Sequence, residues 1–208
     1  LKGQCRHSGL SKKTALSPFM LFGVTRVVAN TTKLNQLLGK GNTMKTLADR
    51  FRQWYEYERD CNGKSLEMLT SVPDNARCMD DFRTAIDKLA HLVAARRRWL
   101  HRLGVYRELS SSIPTGVTLD ALRHLVAETE SAWVTYLSRL VDADLTQEIE
   151  WETMDGTRLR WDIESVLVQT FGHAWYHRGQ IAMLVSKLGG KAVDTDYYFW
   201  SHPSIIQN

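Results

Sequence analysis

An all-α four-helix bundle, with one small β-hairpin before its last core helix, is the fold this sequence predicts. Four stretches repeat apolar residues at helical spacing. Turn and capping residues bound each of them. One Asp-Gly pair, Asp155-Gly156, stands between runs that alternate apolar and polar residues. The chain has 208 residues, 43% of them hydrophobic, enough for one core. Residues 44–208 are read as one bundle domain.

Residues 1–43 are set apart by their charge. They hold seven of the 27 Lys and Arg and none of the 23 Asp and Glu, so the other 20 basic residues face every acid. The net charge of +4 therefore comes from the leading segment, and the body is slightly acidic. That balance gives no reason to infer a nucleic-acid partner. The segment is read as a basic N-terminal extension: a disordered tail, an upstream region ahead of Met44, or a targeting peptide. The apolar "ALSPFMLFGV" follows a basic stretch as a targeting segment would. Arg26 soon interrupts it, however, and no clean cleavage site follows.

No run of about 18 apolar residues occurs, so no transmembrane helix is expected. Cys5, Cys61 and Cys78 are odd in number and form no CxxC pair. This argues against a disulfide scaffold or a thiolate zinc site and fits a reducing, cytoplasmic compartment.

The first helix is expected from about Met44 to Leu69, with Leu47, Phe51, Trp54, Tyr55, Leu66 and Leu69 as its stripe and "SVPDN" as its stop. The second runs from about Asp80 to Leu103, ending at Gly104. The third starts near Thr118, an N-cap candidate, and ends near Val141. In the hairpin, Ile149, Trp151, Leu159 and Trp161 share one face, and Asp155-Gly156 predicts a two-residue turn with both φ angles positive. The fourth helix starts near Asp162, another N-cap candidate, and ends at Gly189-Gly190.

The fourth helix carries the pattern that points to chemistry. His173 and His177 lie in the same sector as Ile163, Val166, Leu167, Thr170, Ala174, Ile181, Leu184, Val185 and Leu188. Residues four apart on one face have Cβ atoms about 6 Å apart, so two imidazoles can converge on one ion. The plainer reading is a pair of hydrogen-bonded core histidines. Two on one apolar stripe shift the balance, because each leaves two ring nitrogens to satisfy, at about 1–3 kcal/mol for each one unmet. Ala174 follows His173, so the zinc-protease HExxH motif is absent. Gly172 and Gly179 share the opposite face and predict close approach of a neighbouring backbone. Arg178 lies off the histidine face and predicts a structural salt bridge. His91, His101 and His124 are the candidates for a third ligand, and helical spacing does not choose among them.

"VLVQTFGHAWYHRGQIAMLVSKLGG" resembles the signature of the DinB/YfiT-like metalloprotein family, whose last core helix carries a His-x-x-x-His-Arg-Gly-Gln-Ile pattern. "KLAHLVAARRRWLHRLG" resembles that family's second helix, and "YERDCNGKSLEML" the end of its first. The likeness spans essentially all of residues 44–208. It implies a four-helix bundle of DinB type, whose parallel neighbours need longer connections, and a metal triad at His91, His173 and His177. The implied cofactor is a divalent metal, zinc or nickel. Many members carry a further His where this chain has Gln169, which is expected to shape the pocket without binding metal.

The resemblance also implies a function, since characterised relatives include thiol-dependent S-transferases and a mycothiol-dependent isomerase. A thiol-dependent S-transferase is the expectation, with a low-molecular-weight thiol as cosubstrate, because three neutral imidazoles leave the metal charge for a soft anionic donor. The expected partners are that thiol and an electrophile, with no nucleic acid and no membrane; a homodimer is left open. A non-catalytic, stress-associated metal-binding bundle and a metal-dependent hydrolase are the alternatives. Trp54, Tyr57, Trp99 and Tyr176 are candidates to line the pocket, though core or surface packing is their plainer role.

Overall fold

A computed structural model describes residues 45–108, 116–153 and 155–202. The basic extension expected over residues 1–43 lies outside the described residues. Helix α1 spans Leu47–Thr70, α2 Asp80–Arg102 and α3 Leu119–Arg139. A one-turn α4, Asp142–Leu145, leads into β1, Glu148–Glu152, and β2, Arg158–Asp162. Helix α5 spans Ile163–Lys187, and a short α6, Tyr197–Ser201, follows. The four long helices and the hairpin are those expected; α4, α6 and a 3₁₀ turn at Asp74–Ala76 carry no apolar stripe long enough to announce them.

Three of the four long helices start at a side chain that satisfies free N–H groups, whereas α2 follows Met79 without a side-chain cap. Thr46 Oγ1 accepts from the Asp49 N–H at 3.1 Å while the Asp49 carboxylate accepts from the Thr46 N–H at 3.0 Å, a reciprocal capping box. Asp142 adds a second carboxylate there, accepting from the Ala48 N–H at 2.8 Å. Thr118 and Asp162 cap α3 and α5 as expected, accepting from Ala121 at 3.2 Å and Ser165 at 2.6 Å. Helix α3 stops at Arg139, two residues early, because Leu140 turns extended. Arg52 donates to the freed carbonyls of Leu137 and Leu140 at 2.9 and 2.8 Å.

Around the bundle, α1 packs on α3 and α5, and α2 packs on the same two helices. The order of residues in the core gives the directions. Phe51 and Tyr55, Leu100, Trp133 and Leu137, and Leu167 and Phe171 form one apolar cluster. Leu66 and Leu69, Ile86 and Leu89, Leu122 and Val126, and Ile181 and Val185 form the other. So α1 and α5 run one way and α2 and α3 the other. The parallel α2–α3 pair is joined by the long 103–118 connection, as the resemblance implied. Between the clusters lies a buried polar layer of Glu58, Asn62, Ser65, Arg96, Thr129, Thr170 and Arg178.

In the hairpin, Ile149 pairs with Trp161 and Trp151 with Leu159, the shared face expected. The face packs on α2, where Trp99 stacks on Trp161 at 6.1 Å and meets Trp151 edge-on at 5.2 Å. The turn differs from the two-residue form. Thr153 N–H donates to the Thr157 carbonyl at 2.9 Å and Gly156 N–H to the Thr153 carbonyl at 3.0 Å. Of the pair, only Gly156 has positive φ, at 83°. This is a three-residue loop with glycine at its left-handed position.

Gly172 and Gly179 also depart from expectation: a Cβ at either would meet nothing within 4 Å. The glycine that a neighbour does crowd is Gly190, where a Cβ would stand 2.7 Å from Val185 Cγ1 and 3.1 Å from Ser71 Oγ. No helix among the described residues is long and apolar enough to cross a membrane.

Candidate metal centre

Two antiparallel neighbours build the site. Helix α2 supplies His91, and α5 supplies His173 and His177 from successive turns. One ring nitrogen from each lies within 4.8 Å of the others. The closest approach is His91 Nε2 to His173 Nε2, 3.1 Å. Ring centroids are 4.6 to 5.2 Å apart, and all three residues are half-buried. Nitrogens bound to one tetrahedral ion at about 2.0–2.1 Å stand about 3.4 Å apart, so this spacing fits a shared divalent ion. No carboxylate or thiol belongs to the group. His101 and His124, the other candidates, stay outside it, and His124 is exposed.

At His91 and His173 the electrostatics favour the neutral ring, the form that ligates. Burial pushes His91 below the usual imidazole range, and His177, Arg98 and Lys88 add to the effect. Burial does the same to His173, helped by His177, His91 and Arg96. Gln180 Oε1 lies 3.0 Å from His177 Nδ1. An acceptor there places the proton on Nδ1 and leaves the Nε2 lone pair free, the usual arrangement behind a ligating histidine.

Behind the histidines, one carboxylate ties the helices together. Glu58 of α1 is fully buried and accepts from Arg178 Nη1 at 2.7 Å and Nη2 at 2.9 Å. It also accepts from Trp175 Nε1 at 3.1 Å and from Arg96 Nη2. Four donors fill the capacity of a carboxylate. Arg96 also donates to Asn62 Oδ1 at 3.0 Å, and Asn62 donates to Glu130 Oε1 at 2.7 Å, which brings in α3. Burial opposes the Arg178 charge; the hydrogen bonds and charge of Glu58 outweigh it and hold the guanidinium above its ordinary value. The expected salt bridge of Arg178 is thus present, and it lies in the core. Because Arg96 and Arg178 share Glu58, the network sets the register of α2 against α5 and so the meeting of their histidines.

Sequence reasoning missed Glu58, Arg96, Asn62, Glu130 and Gln180. A signal existed for two of them. Glu58 falls on the stripe of Phe51, Tyr55 and Leu69, and Arg96 on that of Leu89, Val93 and Leu100. A charge on an apolar stripe asks for a buried partner.

The four candidate aromatics divide. Tyr176 is exposed beside His177, with ring centroids 5.1 Å apart, and Trp99 borders a small void next to His173. Trp54 and Tyr57 pack instead toward Phe171, Trp175 and α6. Gln169 is exposed and lies outside the histidine group. Cys61 is buried, points its thiol at the Thr195 carbonyl at 3.7 Å, and is pushed up by that burial.

The sequence model of the DinB family matches residues 43–207. No curated protein and no solved structure matches the chain.

Proposed function

The chain belongs to the DinB family, and on that footing we propose that it is a metal-dependent enzyme of the thiol-transferase type. In this reading His91, His173 and His177 hold one divalent ion, zinc or nickel, and a low-molecular-weight thiol is the cosubstrate. The supporting observation is the convergence of three imidazole nitrogens with no acidic group among them. When bound, the ion supplies Lewis acidity that lowers the pKa of a coordinating thiol and raises its thiolate fraction near neutral pH.

The chain's own residues prepare that site. Burial keeps His91 and His173 unprotonated, and Gln180 holds His177 in one tautomer. Three neutral ligands contribute no negative charge, so the remaining position favours a soft anion. Half-burial leaves the group a side open to solvent, where Tyr176 stands beside His177. Neither Cys61, buried with its thiol pKa raised, nor the exposed Cys78 belongs to the histidine group, so in this reading the reactive sulfur comes from the cosubstrate.

The test is a titration of the Co²⁺-substituted protein with glutathione, bacillithiol, mycothiol and coenzyme A. One of them is expected to introduce a sulfur-to-cobalt charge-transfer band and to be conjugated to a model electrophile. A silent cobalt spectrum together with thiol-independent hydrolysis would replace this reading with a hydrolytic one.

A further inference from the structure

Helix α2 carries more positive charge beside the histidines than the chain neutralises. From Lys88 to Arg102 it has five Lys and Arg and no Asp or Glu. Its neighbour α5 has no Asp or Glu between Glu164 and Lys187. Arg96 and Arg97 are answered, by Glu58 and by Glu128 at 3.1 Å. Lys88, Arg98 and Arg102 are not. All 23 Asp and Glu lie among the described residues, and none of them pairs with these three.

The three cations share the face of His91. At about 100° per residue, Arg98 and Arg102 fall within about 20° of His91 and Lys88 within about 60°. Lys88 stands about 4.5 Å before His91 along the helix axis and Arg98 about 10.5 Å after it. Both are close enough to act on the ring: after burial and His177, they hold His91 below the usual imidazole range. The Arg102 guanidinium is fixed over the rings of Trp99 and Trp151, at 4.6 and 4.8 Å. Trp99 in turn borders the void beside His173.

Lys88, Arg98 and Arg102 are half-buried. Arg98 and Arg102, one turn apart, repel each other. A cation partly removed from water asks for a counterion, and this chain supplies none here. The three neutral histidines also leave the charge of a bound ion in place. A surface of one sign around a metal draws in ligands of the other sign. Guanidinium forks match carboxylate and phosphate oxygens with paired donors.

We infer, resting on the thiol-transferase reading of the histidine site, that Lys88, Arg98 and Arg102 bind the acid groups of the cosubstrate, which is a thiol carrying carboxylates or phosphates. The Co²⁺-loaded full chain is titrated with five thiols, and each Kd is read from the sulfur-to-cobalt band. Glutathione and bacillithiol carry carboxylates, coenzyme A carries phosphates, and mycothiol and glutathione diethyl ester carry neither. An acid-bearing thiol should bind at least about tenfold more tightly than mycothiol or the ester. Which of the three binds best assigns the acid group as carboxylate or phosphate. Arg98→Gln and Lys88→Gln should each raise its Kd about tenfold and leave that of the ester within about twofold. Arg97→Gln removes the same charge on the α3 side of the helix and should leave every Kd within about twofold. Circular dichroism and cobalt content confirm the fold and loading of each variant. Mycothiol or the ester binding as tightly as the acid-bearing thiols overturns the inference and leaves the thiol reading standing. So does a Kd unmoved in both Arg98→Gln and Lys88→Gln. An equal loss for the ester overturns it too, because the charge then acts through the metal and not on the acid group. No band from any thiol overturns both readings together.

Discussion

Glu58 and Arg178 meet as a bidentate ion pair, at 2.7 and 2.9 Å, with neither side chain more than 1% exposed. Arg96 shares the same carboxylate. Removing one partner of a buried pair leaves the others charged and uncompensated, which costs about 3–5 kcal/mol. Glu58→Gln should therefore lower the unfolding free energy in urea by about 3 kcal/mol or more. Because Glu58, shared by Arg96 of α2 and Arg178 of α5, sets the register of those two helices, the metal content of the folded fraction should fall as well. A stability loss below about 1 kcal/mol would show that the network is dispensable.

Gln180 reaches His177 Nδ1 at 3.0 Å and touches the site only through that histidine. Partners of this kind typically tune metal affinity by about 10–100-fold. Gln180→Ala should weaken divalent-metal binding in that range and leave the thermal midpoint of the metal-free protein nearly unchanged. Unaltered affinity by competition with a chromophoric chelator would remove Gln180 from the site.

Two glycines should respond in opposite directions to the same change. Gly63 lies within α1 and a Cβ there meets nothing within 4 Å, so Gly63→Ala should stabilise by about 0.5–1 kcal/mol. At Gly190 the new Cβ would stand 2.7 Å from Val185 Cγ1, so Gly190→Ala should destabilise by about 1–3 kcal/mol. Urea midpoints of the two variants check both signs together.

Acid should act on the start of α1. The Asp49 carboxyl is pulled down to about 2 by its hydrogen bond to Arg52 first, then by the Thr46 N–H and hydroxyl. A carboxyl held lower in the folded chain than in the unfolded one contributes stability above its unfolded value of about 4. That contribution is lost as pH falls through about 2. Asp49→Asn should therefore flatten the pH dependence of stability between about pH 4 and 2. An unchanged slope would contradict the capping geometry.

The helices and their starts were legible because their causes are local. Thr118 and Asp162 sit where an apolar period begins and need no distant partner to cap it. The hairpin face was legible for the same reason, while its turn was not. Asp-Gly suits two turn geometries, and which forms depends on how Thr153 and Thr157 pair. His173 and His177 declared themselves by spacing. His91 did not, because α2 packs on both α3 and α5 and so has no single inward side. The buried carboxylate was harder still, since its partners lie 38 and 120 residues away in the chain. Gly172 and Gly179 were read as contacts within the bundle, and the space around them shows that the bundle does not use them.

The most direct test of the central claim is the metal-to-protein ratio, measured after loading with Co²⁺ or Zn²⁺ and exhaustive dialysis. The parent chain and the His91→Ala, His173→Ala and His177→Ala variants are compared, with circular dichroism confirming the helical fold of each. The account predicts about one ion per parent chain and a sharp loss in every variant, because two imidazoles cannot hold what three share. Full occupancy in His177→Ala, or none in the loaded parent, would contradict it.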